Sequence, residues 1–95
     1  MSYVRVALMT PRRQSHHEAT RLLAQILAHC SNQSGYRGGM LTAGGTGERR
    51  RVGRVTLWAD RSSADRAATD QRMLALRAAL DAIVQEDDRI ELGLE

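Results

Sequence analysis

Arg51-Val52-Gly53-Arg54-Val55-Thr56-Leu57-Trp58-Ala59 is the stretch whose reading decides the fold. Val55, Leu57 and Ala59 alternate with Arg54, Thr56 and Trp58, the period-two pattern of a β-strand with two unlike faces. Just upstream, Gly44-Gly45-Thr46-Gly47 supplies the left-handed backbone that a tight reversal needs. Met40-Leu41-Thr42-Ala43 leads into that reversal as a shorter strand, so the two strands are antiparallel neighbours. Downstream, Ser62 or Ser63 reads as a helix cap, with Asp65 in the first turn. Met73, Leu76, Leu80 and Ile83 continue as an apolar stripe, broadened by Leu74 and Val84, with a break or offset at Thr69-Asp70.

Outward from this centre, residues 3–9 alternate as another strand, which Pro11 terminates because proline cannot donate to a sheet ladder. Ser15 and Glu18 have the spacing of a capping box. Behind them Ala19, Leu22, Leu23, Ile26, Leu27 and Cys30 hold one helical face for more than three turns. At the other end, Glu86-Asp87-Asp88 reads as a polar turn before Ile90, Leu92 and Leu94, which alternate with Arg89, Glu91 and Gly93. The order is β-α-β-β-α-β, a single α+β domain over residues 1–95 with an antiparallel sheet of ferredoxin-like type.

Alternation divides the sheet into two sets. Val4, Val6 and Leu8, with Val55, Leu57 and Ala59 and with Ile90, Leu92 and Leu94, are expected to meet the helices. The second set is Tyr3, Arg5, Ala7 and Met9, then Arg54, Thr56 and Trp58, then Arg89, Glu91 and Gly93. Its mixture of aromatics and charges implies a cover from a second copy in a symmetric dimer, or an open platform on which nucleic-acid bases stack.

Composition removes several classes. The chain has 95 residues, room for one domain. No apolar run approaches the ~20 residues that span a bilayer, and the N-terminus lacks the pattern of a secretory signal. A lone cysteine excludes an internal disulfide and points to the cytoplasm. The basic residues number 14, all arginine, against 11 acids; most are interspersed with acids, and only Arg49-Arg50-Arg51 is dense. That run reads as a solvated loop face before a nucleic-acid patch. His17 and His29 lie roughly 18 Å apart along one helix, too far to share a zinc ion. Cys30 sits on the apolar stripe and reads as packing, and the glycine run lacks the lysine and following helix of a P-loop.

Two strings carry a resemblance to a family: Ser34-Gly35-Tyr36-Arg37-Gly38-Gly39, and Leu57-Trp58-Ala59-Asp60-Arg61-Ser62-Ser63-Ala64-Asp65. With the length and topology, they resemble the antibiotic biosynthesis monooxygenase-like domains of the dimeric α/β-barrel superfamily. The resemblance implies a homodimer whose sheets close into a barrel, and a cavity against the helices or at the sheet–sheet junction. Some such proteins oxidise aromatic polyketides without metal or organic cofactor, others cleave haem, and many have no known reaction. Trp58 matches the tryptophan that lines the pocket in the oxygenases. The haem-degrading branch needs an asparagine on strand one and a histidine about ten residues past the tryptophan. This chain has neither.

The resemblance therefore implies a cofactor-independent monooxygenase of a small aromatic or quinol-type compound, with no metal and no bound cofactor. Its ligand-pocket residues are expected to be Trp58, Tyr3, Arg5, Arg54, Thr56 and Glu91, with the catalytic residues unassigned. An arginine among them would hold an enolate or phenolate oxygen. Arg5, Arg54 and Glu91 read, ahead of that role, as a charge-paired structural set whose mutual bonds offset desolvation. A non-catalytic small-molecule-binding or structural dimer is the alternative, and an RNA-binding platform a more distant one, since strand three supplies a single aromatic.

Overall fold

A computed structural model of the chain describes residues 2–47, 50–85 and 88–95. The elements are β1 (Tyr3–Met9), α1 (His16–Cys30), β2 (Tyr36–Gly44), β3 (Arg51–Trp58), α2 (Arg61–Thr69), α3 (Gln71–Asp81) and β4 (Ile90–Leu94). The strands form one antiparallel sheet in the order β2-β3-β1-β4. This is the ferredoxin-like α+β arrangement, with the second helical segment divided in two. Of the polar turn expected at 86–88, Glu86 and Asp87 lie outside the described residues.

The division falls at Asp70. Its extended backbone ends α2, and its carboxylate accepts from the Met73 amide at 2.9 Å to start α3. The same carboxylate lies 3.0 Å from His29 Nε2 near the end of α1, so one acid joins three helices. The first of those helices buries Ala19, Leu22, Leu23, Ile26 and Cys30, the stripe read from its spacing. Burial pushes the Cys30 thiol pKa up, as expected of a packing cysteine.

Two caps differ from expectation. Ser15 stands at the start of α1 without a side-chain cap, and Glu18, the other half of the expected box, is engaged by Arg21 one turn on. Asp60, rather than Ser62 or Ser63, caps α2 by accepting from the Ser63 amide at 2.8 Å. Ser63 is instead buried against the turn after α1. A Cβ at Gly35 would come within 2.2 Å of its hydroxyl, and Gly35 has φ +88°. Strand β2 is also longer than Met40–Ala43, starting at Tyr36 with an irregularity between Tyr36 and Gly38.

The larger correction concerns the two faces. The helices cover Tyr3, Ala7, Met9, Val52, Arg54, Thr56 and Trp58, all buried. The more apolar set lies on the opposite side, where nothing among the described residues covers it. Register places it in three cross-strand rows: Leu94–Val4–Leu57–Gly38, Leu92–Val6–Val55–Met40 and Ile90–Leu8–Gly53–Thr42. Met40, Leu92 and Leu94 are 61%, 50% and 55% exposed. Alternation had assigned which residues share a face but not which face the helices take.

Candidate functional site

On the helix side, register builds two rows. One runs Leu41–Arg54–Ala7–Glu91 and the other Gly39–Thr56–Arg5–Gly93. All six residues singled out from sequence (Tyr3, Arg5, Arg54, Thr56, Trp58 and Glu91) share this face and form two linked groups.

The first group surrounds Trp58. Its indole N–H donates to Thr56 Oγ1 at 2.9 Å, and Tyr36 meets the indole edge-on with ring centroids 5.5 Å apart. Arg5 donates to the Tyr3 hydroxyl at 3.0 Å and to Asp65 of α2 at 2.8 Å. Burial opposes the Arg5 charge, but the hydrogen bonds to Tyr3 and Asp65 prevail and raise its pKa. The Tyr3 ring lies across Gly93, where a Cβ would come within 1.7 Å of the phenolic oxygen. Glycine is required there by close approach.

The second group is electrostatic. The Arg54 side chain is only 5% exposed, and its Nη2 lies 3.9 Å from Glu91 Oε1. Its Nε has no hydrogen-bond partner among the described residues. Burial holds this guanidinium below its ordinary pKa, with Glu91 pulling the other way. Ala7, fully buried between the two strands, leaves room for that pair to approach over it. Arg77 of α3 donates to Glu91 Oε2 at 2.7 Å.

Sequence reading missed Asp65, Arg77 and Tyr36 as members of this site. A signal existed for Arg77: Met73, Leu76, Arg77 and Leu80 have the i, i+3, i+4, i+7 spacing of one helical face. A charge in that set has to find a partner across the layer. Asp65 looked like a helix-dipole acid, and only the tertiary fold brings it to Arg5.

Trp58 and Tyr3 are 2% and 5% exposed beneath the helices and Tyr36. The uncovered face carries aliphatic side chains and no aromatic. An RNA platform on this sheet therefore lacks its stacking surface. No group of three or more candidate metal ligands occurs among the described residues, and none of their helices is long and apolar enough to cross a membrane.

No family model matches the sequence, and no curated protein matches it. Solved structures do match the fold. SnoaB, a cofactor-independent oxygenase from Streptomyces nogalater, superposes with a TM-score of 0.84 at 18% identity, over 99% of this chain and 91% of that one. Rv0793 from Mycobacterium tuberculosis gives 0.86 at 16% identity, over 100% and 94%. A structure described as an antibiotic biosynthesis monooxygenase gives 0.81 at 14%, over 100% and 97%. Backbone agreement across almost the whole of both chains, despite few shared residues, bears out the resemblance at the level of fold: this chain has the fold of the antibiotic biosynthesis monooxygenase-like proteins.

Proposed function

We propose that the protein is a cofactor-independent oxygenase of a small aromatic or quinol-type compound, acting as a cytoplasmic homodimer. The observation that carries the reading is Arg54, a buried cation with an unpartnered N–H beside the Thr56–Trp58 pair. A guanidinium stays protonated at any working pH. Held in a low-dielectric layer, it stabilises a phenolate oxygen far better than water does. That is the assistance oxygenation without a cofactor requires, because the ionised ring must itself give electrons to O2. Conversion of a phenol to a quinone balances with one O2: one oxygen atom enters the ring, and the other leaves as water with the two hydrogens lost. Trp58 and Tyr3 form the apolar end of the site, and Arg5, Thr56, Arg54 and Glu91 its polar end.

The dimer is supported by the bare aliphatic face. It is more apolar than the face the helices cover, and monomeric proteins rarely leave so continuous a patch to water. A second copy related by two-fold symmetry brings the same rows against themselves.

The non-catalytic alternative has an observation of its own. Trp58 and Tyr3 are already packed by protein, so a ligand reaching them has to move Tyr36 or α2. Oxygen uptake across a panel of quinols and hydroxyarenes decides between them. Uptake that falls in Trp58→Phe and Arg54→Gln, both folded by circular dichroism, supports the oxygenase. A folded protein with no uptake on any compound refutes it.

A further inference from the structure

We propose that the cleft between α3 and β4 is a binding site for the carboxylate of a small organic acid. The cleft is a cavity of about 560 Å³ lined by Arg12, Arg77, Asp81, Val84, Arg89 and Glu91. It is built by the backbone. The Arg12 amide donates to the Ile83 carbonyl, and the Gln85 amide to Thr10, both at 2.8 Å. These bonds tie the end of β1 to the segment leaving α3. Arg12 and Val84 are thereby held at one wall, with Arg77 and Asp81 on α3 and Arg89 and Glu91 on the opposite strand side.

Among the described residues, the charges lining this cleft do not cancel. Three guanidinium groups line it against two carboxylates, and Arg54, outside the lining, meets Glu91 as a fourth cation. Glu91 is divided between Arg77 at 2.7 Å and Arg54 at 3.9 Å. Asp81 pairs with Arg89. After those pairings, Arg89 Nη2 on the cleft is buried with no partner among the described residues, as is Arg54 Nε beyond Glu91, outside the lining. A buried donor left unsatisfied is costly, and more so when charged.

Arginine cannot relieve the strain by releasing its proton. Burial disfavours the charge on both Arg54 and Arg89; Arg54 also feels Arg77 and Arg5 as like charges, and Arg89 feels Arg77 and Arg54. An anion with more than one acceptor atom would answer Arg89 Nη2 together with the Arg12 or Arg77 guanidinium on the same cleft. A carboxylate has two oxygens, each able to take a guanidinium N–H, and matches the flat arginine fork. Inorganic phosphate shares the oxyanion chemistry without the planar shape.

The inference rests on this cleft alone, not on the oxygenase reading. Should both hold, the substrate is an aromatic acid. The test uses the full chain at low salt, with benzoate and 2-naphthoate each compared with its amide, a neutral molecule of the same outline. Inorganic phosphate is the third probe. Titration calorimetry is expected to show each acid bound about tenfold or more tightly than its amide, the scale of one charge-assisted hydrogen bond. Arg12 is exposed, so Arg12→Gln folds; it and Arg89→Gln should weaken acid binding several-fold while leaving the amides unchanged. Arg77→Lys, which keeps the charge and loses the fork, should weaken the acids less than Arg77→Gln. Acid and amide binding alike, no acid binding, or phosphate binding as tightly as benzoate would each overturn the proposal. Because binding is read without turnover, an inactive protein that still prefers the acids leaves the cleft assignment standing and removes only the oxygenase.

Discussion

Leu92→Lys is the substitution that most directly examines the bare sheet face. Leu92 lies on the edge strand in the middle row, level with Val6, Val55 and Met40, and is 50% exposed within one chain. Complete burial of a leucine side chain is worth about 1.5–3 kcal/mol, so half of that, about 0.7–1.5 kcal/mol, remains to be gained when a second copy covers it. A two-fold contact uses the residue twice. The substitution therefore removes about 1.5–3 kcal/mol of association energy, or about 10- to 150-fold in dimer Kd, before any repulsion between the two new cations. The chain itself should still fold, because a lysine on an exposed edge strand remains hydrated. Light scattering or sedimentation over a concentration series reads the result. The wild-type mass should be twice the 10.5 kDa of one chain, and the variant should fall toward one chain as it is diluted. A wild-type monomer at all concentrations, or a variant dimer of unchanged affinity, would refute the assignment of this face as the seam.

Other substitutions probe the helix side. Asp70→Ala removes the acid that starts α3 and meets His29, and should lower the melting midpoint by about 4–8 °C, the scale of one lost cap in a domain this small. The Met73 amide first, and His29 second, hold the Asp70 carboxyl below its ordinary value of 3.8. A depressed native pKa gives stability present above that ordinary value and lost as the pH falls from it toward the native one. The acid limb of a pH–stability curve should thus be shallower in Asp70→Ala than in wild type, and identical limbs would contradict the linkage. Gly93→Ala places a methyl against the Tyr3 phenol and should cost about 1–3 kcal/mol by overpacking, measurable by urea melts with a changed near-ultraviolet dichroism. Arg54→Met replaces a buried, partly unpartnered cation with an apolar chain of similar length. Because Glu91 keeps its closer partner Arg77 at 2.7 Å, the carboxylate is not left unpaired and stability should change little, while activity is abolished. A strongly destabilised Arg54→Met would instead make the cation a structural element.

Much of the fold was legible because its signals are local. The Tyr3–Met9 strand, the α1 stripe, the reversal at Gly44–Gly47 and the interruption at Asp70 each follow from spacing or a single residue's chemistry. The membership of each sheet face was legible too, since period two allows no other grouping once the strands are placed. Which face meets the helices was not. The usual guide, that the more apolar face goes inside, failed because the richest aliphatic set, Val4, Val6, Val55, Leu57, Leu92 and their row-mates, lies on the side the chain leaves bare. The helix side instead retains Arg5, Arg54 and Thr56, which are tolerable there only with Tyr3, Asp65 and Glu91 as partners. Those partnerships join residues as much as 60 positions apart, which no local pattern reports. Arg77 is the intermediate case: its place in the helical stripe marks an anomaly, but its partner becomes visible only with the fold.

Asp70 also sets a length scale for the cleft. It is the one-residue joint between α2 and α3, with ψ of 147° fixing how the second helix leaves the first. Arg77 stands seven residues along α3, about 10 Å from that joint at 1.5 Å per residue. The helix acts as a lever of that radius, so a swivel of about 5° at Asp70 carries the Arg77 backbone about 0.9 Å across the sheet. A displacement of about 1 Å is enough to spoil a productive binding geometry. The placing of the Arg77–Glu91 pair on the cleft wall is therefore tuned by a residue that touches neither. Changes of His29, which steadies the joint from a third helix, should alter which acids the cleft accepts before they alter whether the protein folds.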